Sequence, residues 1–112
     1  PKSLISPSDI RWLNEVALPQ FGIRQVRVEW SDSRLKWPDI WVDPQTRVIT
    51  VTREWARQSV SERRSRLIHE LLHLRGLEHG EYGSYIFSTI PRLDTYSHHI
   101  YNRMVGNKDV KA

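Results

Sequence analysis

Apolar side chains at Ile10, Leu13, Val16 and Ala17 recur at the three-and-four spacing that lines one face of an α-helix. Pro7 and Asp9 stand just before them, where a first helical turn tolerates proline, and Pro19 predicts that this helix ends before it. Such an element serves as a lid or a backing layer. From Gln25 the period shortens to two: Val26, Val28 and Trp30 alternate with Arg27 and Glu29, as in a half-buried strand. Ile40 to Asp43 and Arg47 to Arg53 behave alike, with Asp43-Pro44-Gln45-Thr46 as a turn between them, so three strands are predicted and the last two form a hairpin.

The period then lengthens again. Ser59 and Glu62 have the spacing of a capping box, which starts a helix at about Val60. Leu67, Ile68, Leu71, Leu72 and Leu74 give it a broad apolar face, and Gly76, which readily takes the left-handed conformation, ends it after Arg75. An irregular stretch rich in Gly and Tyr follows. Asp94 is placed as the cap of a last helix carrying Ile100, Tyr101, Met104 and Val105, and the polar tail from Gly106 to Ala112 is expected to be mobile. Helix, three strands, helix, helix is an α+β order.

With 112 residues, 38% of them hydrophobic and five of them Trp, the chain is expected to form one domain, 1–112, around a modest core. The absence of cysteine excludes disulfides and thiolate metal ligands. No apolar run reaches membrane-spanning length and the start PKSLISPSD lacks the apolar core of a signal peptide, so a soluble, cytoplasmic protein is expected. The formal charge of +4 and pI near 9.8 raise nucleic acid as a partner. Thirteen of the seventeen basic residues are Arg and are spread out, however, and only Arg63, Arg64 and Arg66 cluster. A solvated basic helix face accounts for them better than a nucleic-acid footprint does.

The candidate chemistry sits in HELLHLRGLEHG, residues 69 to 80. His69 and His73 are four positions apart, which stacks their side chains on one helix face and suits two ligands on one Zn²⁺. Gly76 breaks the helix and lets the chain return, bringing His79 as a third ligand and leaving the fourth position for water, as in a catalytic zinc site. Glu70 lies about 100° round the helix from His69, within reach of that water but not of the metal, where a general base belongs. H-E-x-x-H alone arises by chance in roughly one chain in a hundred of this composition; with Gly76 and His79 the frequency falls to the order of one in tens of thousands.

HELLHLRGLEH fits H-E-x-x-H-x-x-G-x-x-H, and through His69, Glu70, His73, Gly76 and His79 it resembles the metzincin zinc peptidases. The chain is far shorter than those enzymes, and Met104 falls in a predicted helix rather than in a Met-turn. Its size, its element order and the segment IPRLDTYSHHIYNRM are more similar to the minigluzincins, minimal single-domain metallopeptidases related to the catalytic domains of integral-membrane peptidases. That resemblance implies a zincin-like α+β fold with a short mixed sheet, an active-site helix and a backing helix. It also implies hydrolysis of peptide or protein substrates, and a latent state in which the chain's own C-terminal segment, 104–112, blocks the cleft. Residues Leu72, His73, Leu74 and Gly76 are shared as well with the zinc endoribonucleases that process ribosomal RNA, which have Gly where this chain has Glu70. The glutamate favours the peptidase, with the ribonuclease and a zinc-binding module without catalysis as alternatives.

Several further residues have more than one reading. His98 and His99 are alternatives to His79 as third ligand or donors to an oxyanion, but a surface or core role suits them better. Tyr82, Tyr85, Tyr96 and Tyr101 offer phenol donors, though packing is their commoner use. Asp94 could hold the second nitrogen of a ligand histidine, although a helix cap is the preferred reading. The strand at Arg47 to Arg53 is expected nearest the active-site helix, its free edge able to hold an extended peptide or the chain's own tail. A swapped C-terminal helix would make a homodimer, a folded-back tail a monomer.

Overall fold

The computed structural model describes residues 4–79 and 92–111. Ser6 caps the first helix by accepting from the Ser8 N–H at 3.2 Å, and Pro7 occupies the first turn, where no intrahelical donor is missed. Helix α1 (Pro7–Trp12) passes into a π-helical segment, Leu13–Ala17, and closes with the short turn α2 (Leu18–Gln20). The helix therefore continues past Pro19. In the π segment the Leu18 N–H reaches back to the Leu13 carbonyl, and a turn widened in this way accommodates a following proline ring that would clash in a regular α-helix. Gly22, at φ 64°, then ends the helix: its N–H bonds the Pro19 carbonyl and the Ile23 N–H bonds that of Leu18.

The three strands are β1 (Arg27–Ser31), β2 (Ile40–Asp43) and β3 (Val48–Thr52), in the order β1-β3-β2. β3 is central, parallel to β1 and antiparallel to β2. Register places Val28 beside Ile49 and Trp30 beside Val51, with Val42 and Ile40 completing the same rows from the other side. This apolar face packs on the helices, and Ile49 and Val51 are wholly buried. The β2–β3 turn is drawn tight by Asp43, whose Oδ1 accepts from the Gln45 N–H at 2.9 Å, and Arg47 closes it at φ 60°. Beyond β3 the extended reading of Arg53 gives way to a short helix, α3 (Arg53–Ala56). Thr52 caps it, and its one buried residue, Trp55, donates from Nε1 to the Arg63 carbonyl at 3.1 Å.

Helix α4 (Val60–Leu74) is capped by Ser59, which accepts from the Glu62 N–H at 3.2 Å, as the sequence predicts. It is sandwiched, which explains its wide apolar surface. Leu67 and Leu71 belong to the core shared with the sheet, Leu13, Ala17 and Trp55. Ile68 and Leu72 belong to a second core with Leu93 and Tyr101 of α5 (Leu93–Lys111). Helix α5 begins one residue before Asp94, so Asp94 lies in the first turn instead of capping it. The backbone of 106–111, expected as a tail, is helical. Met104 packs against the second core of its own chain. Together these elements form an α+β fold with a three-stranded mixed sheet. Among the described residues no helix is long and apolar enough to cross a membrane.

Two buried carboxylates tie the layers together. Asp9, fully buried in α1, meets Arg63 Nε at 2.6 Å and Arg64 Nε at 3.0 Å on α4. Asp39, just before β2, meets Arg66 Nε at 3.2 Å and accepts from Gln58 Nε2 at 2.7 Å, while its carbonyl accepts from the Thr52 hydroxyl. The arginine cluster that raised a nucleic-acid footprint is thus used inside the fold, pairing charges that burial would otherwise make costly.

Candidate metal centre

The end of α4 builds the centre. Gly76, at φ 92°, donates to the His73 carbonyl at 2.9 Å, and the Leu77 N–H donates to that of Leu72 at 3.0 Å, a pair of bonds that closes the helix and turns the chain back on itself. Leu77 packs on the second core, fixing the direction of the return. Three residues beyond Gly76, His79 arrives over the face that carries His69 and His73.

The three Nε2 atoms form a nearly equilateral triangle: 3.1 Å between His69 and His73, 3.1 Å between His73 and His79, and 3.2 Å between His79 and His69. Nitrogens held about 2.0–2.1 Å from one ion at tetrahedral angles would be about 3.3 Å apart. The hydrogen positions demanded by the surroundings make the same case. His73 Nδ1 lies 2.8 Å from the Leu77 carbonyl, which can only accept, so Nδ1 carries the proton and a neutral ring presents a lone pair at Nε2. His69 Nδ1 lies 2.7 Å from Asp94 Oδ1, which calls for the same tautomer, although the carboxylate sits off the line of a good hydrogen bond. Two lone pairs therefore face each other at 3.1 Å. Hydrogen bonding cannot satisfy the triangle, whereas one cation can, and three imidazoles form a donor set that suits zinc.

Electrostatics keep His69 in its ligand form. Burial lowers its pKa to about 4; the Asp94 carboxylate opposes this, and the other two histidines add to it. Glu70 is 5% exposed, and among the described residues its carboxylate has no hydrogen-bond partner; Oε2 lies 4.0 Å from His69 Nε2. Burial, with Asp39 and Asp94 adding and Arg66 opposing, pushes its pKa up to about 8. Both groups open onto a cleft of about 490 Å³ between α4, the returning chain at 76–79, Trp37-Pro38 and β2.

The structure brings His69, Glu70, His73 and His79 together, the grouping that the sequence motif predicts. It corrects the peptide-holding strand. Arg47 to Arg53 contains β3, which is hydrogen-bonded on both sides and so offers no free edge; among the described residues β2 is the edge that borders the cleft. His98 stands apart from the triangle, with Nε2 3.3 Å from Glu62 Oε1, and His99 is exposed. Tyr101 is buried edge-on against Trp12, Tyr96 is exposed, and Tyr82 and Tyr85 lie outside the described residues. Residues 104–106 of the expected inhibitory segment do not line the cleft. Asp94 supports His69, the reading that its sequence position made secondary to capping. Sequence reasoning missed Asp39 and Gln58, whose link to Arg66 rests on contacts between distant segments and leaves no local signal.

No family model, curated protein or solved structure matches the chain.

Proposed function

We propose that this protein is a zinc-dependent peptide hydrolase in which His69, His73 and His79 hold the metal and Glu70 is the general base. The observation that supports this reading best is the carboxylate of Glu70, unpartnered among the described residues, buried beside three converging nitrogens and opening into a cleft. A carboxylate buried without partners is costly, and a purely structural metal site has no use for one.

His69, His73 and His79 would hold the zinc, which would supply Lewis acidity toward water and a substrate carbonyl. Glu70 takes the proton of the attacking water and returns it to the amine nitrogen as the peptide C–N bond breaks. Glu70 is nearly buried and faces solvent only through the cleft, so a substrate that fills the cleft leaves its carboxylate to exchange protons with the reacting groups. An extended peptide adds its backbone to the outer edge of β2, which is unpaired among the described residues and whose residues Ile40, Trp41 and Val42 border the cleft. The ribonuclease reading loses its proposed RNA-binding surface, because Arg63, Arg64 and Arg66 are engaged with Asp9 and Asp39.

The test compares wild type, Glu70→Gln and His79→Ala for zinc content by mass spectrometry and for cleavage of a quenched fluorescent peptide library. Glu70→Gln should keep one zinc per chain and lose at least a hundredfold in kcat, in line with the contribution of a general base. His79→Ala should lose the metal. Cleavage by Glu70→Gln at the wild-type rate would refute the assignment.

A further inference from the structure

Beside α3 lies a smaller concavity of about 270 Å³, lined by Ser33, Arg34, Arg53, Glu54 and Arg57. Its arginines differ from those of α4. Arg63, Arg64 and Arg66 each pair with a buried carboxylate, whereas the guanidinium groups of Arg34, Arg53 and Arg57 have no carboxylate or hydrogen-bond acceptor among the described residues. Arg53 Nε is shielded from solvent as well as unpartnered, so a strong donor has given up water without receiving an acceptor.

From this we infer a binding site for a phosphate dianion, either free or as the terminal group of a phosphomonoester. Each guanidinium offers a planar fork that matches two oxygens of such an anion, and Arg is the side chain best suited to that geometry. Three guanidinium groups and the Glu54 carboxylate leave two positive charges around the concavity, which balances a dianion better than a monovalent carboxylate. Ser33 adds a hydroxyl: its Oγ accepts from the Leu35 N–H at 3.3 Å, which leaves its own O–H free to donate. The concavity lies below the usual size range of pockets for drug-sized ligands and suits a small oxyanion or the tip of a larger molecule. It shares no lining residue with the metal cleft, so the inference stands apart from the hydrolase reading.

The experiment is calorimetric titration of the full chain with inorganic phosphate, and separately with O-phosphoserine, at constant ionic strength balanced with chloride. Saturable one-to-one binding is expected. Arg53→Gln and Arg57→Gln should each weaken it at least tenfold, Glu54→Gln should strengthen it, and His79→Ala and the remote Arg11→Gln should leave it unchanged. Arg53→Lys, which keeps the charge and loses the fork, should fall between wild type and Arg53→Gln, a result that misfolding would not produce. Tighter binding of O-phosphoserine assigns the site to a phosphorylated molecule; equal binding assigns it to the free anion. No saturable binding of either probe, equal loss in Arg11→Gln, or loss in His79→Ala would overturn the inference.

Discussion

Asp94 is the residue whose removal tests the proposed metal centre most directly without touching one of its three histidines. It lies in the first turn of α5 and reaches across to α4, where its Oδ1 stands 2.7 Å from His69 Nδ1. Replacing it by Asn keeps the size and removes the charge; replacing it by Ala removes the contact. Carboxylates that orient a ligand histidine are worth about 10–100-fold in metal affinity. The Asp94 side chain is 59% exposed and lies off the N–H axis, so water can substitute for part of its effect. The expected loss is therefore at the low end, about tenfold, or about 1.4 kcal/mol. Zinc affinity of the metal-free chain, measured by competition with a chromogenic chelator near neutral pH, reads this directly. The absorption spectrum of the cobalt-substituted protein reports whether His69 has changed its orientation. His98→Ala, one turn further along α5, is the control and should bind zinc as wild type does. An affinity within twofold of wild type in both Asp94 variants would refute the argument that α5 holds His69 in place.

Three other perturbations follow from the structure. In the metal-free protein Glu70 binds its proton more tightly when folded, with the pKa pushed from 4.5 to about 8, so between those values the folded state holds a proton that the unfolded state has lost. Its contribution to stability falls as pH rises through that window; urea unfolding should show the fall in wild type and its absence in Glu70→Gln. Asp9→Asn leaves two inward-facing guanidinium groups without their partner and should cost about 3 kcal/mol in the same assay, whereas a loss under 1 kcal/mol would mean that water reaches Arg63 and Arg64 freely. Arg47→Gly relieves the left-handed backbone at φ 60° and should raise unfolding free energy by about 0.5–1 kcal/mol, with an unchanged melting temperature counting against strain in that turn.

Local signals made much of this protein legible from its residues. Ser59, Glu62 and Gly76 mark the two ends of α4 within one residue, because caps act within a single turn. The alternation around Val28 and Trp30, and the hairpin about Pro44, emerge as β1, β2 and β3 for the same reason. The HELLHLRGLEH spacing was enough to nominate His69, Glu70, His73 and His79, since four residues make one helical turn and a glycine permits the reversal after it. Where the expectation failed, an adjustment of backbone geometry or a neighbour distant in sequence had decided the outcome. Pro19 stays helical because the preceding turn widens to a π-helix, and Asp94 serves His69 because α5 packs against α4.

Strand order is the clearest case. Period and turn chemistry identify strands but carry no information on which strand lies in the middle, so the edge beside the cleft, among the described residues, passed from Arg47–Arg53 to β2 only when the sheet was assembled. The same holds for charge. Composition records seventeen basic residues, but their use depends on burial and on partners that folding supplies. Arg63, Arg64 and Arg66 pair with Asp9 and Asp39 across segments that are far apart in the chain, while Arg34, Arg53 and Arg57 have no acceptor among the described residues and line a concavity of their own. Residue spacing along one helix and the glycine turn after it thus nominated the three-histidine cluster that could hold a metal, because both signals are local. Tertiary packing alone decided which edge borders the cleft, which carboxylate meets His69 and which arginines are paired, because burial and electrostatic pairing act between elements and leave no mark on the sequence of either one.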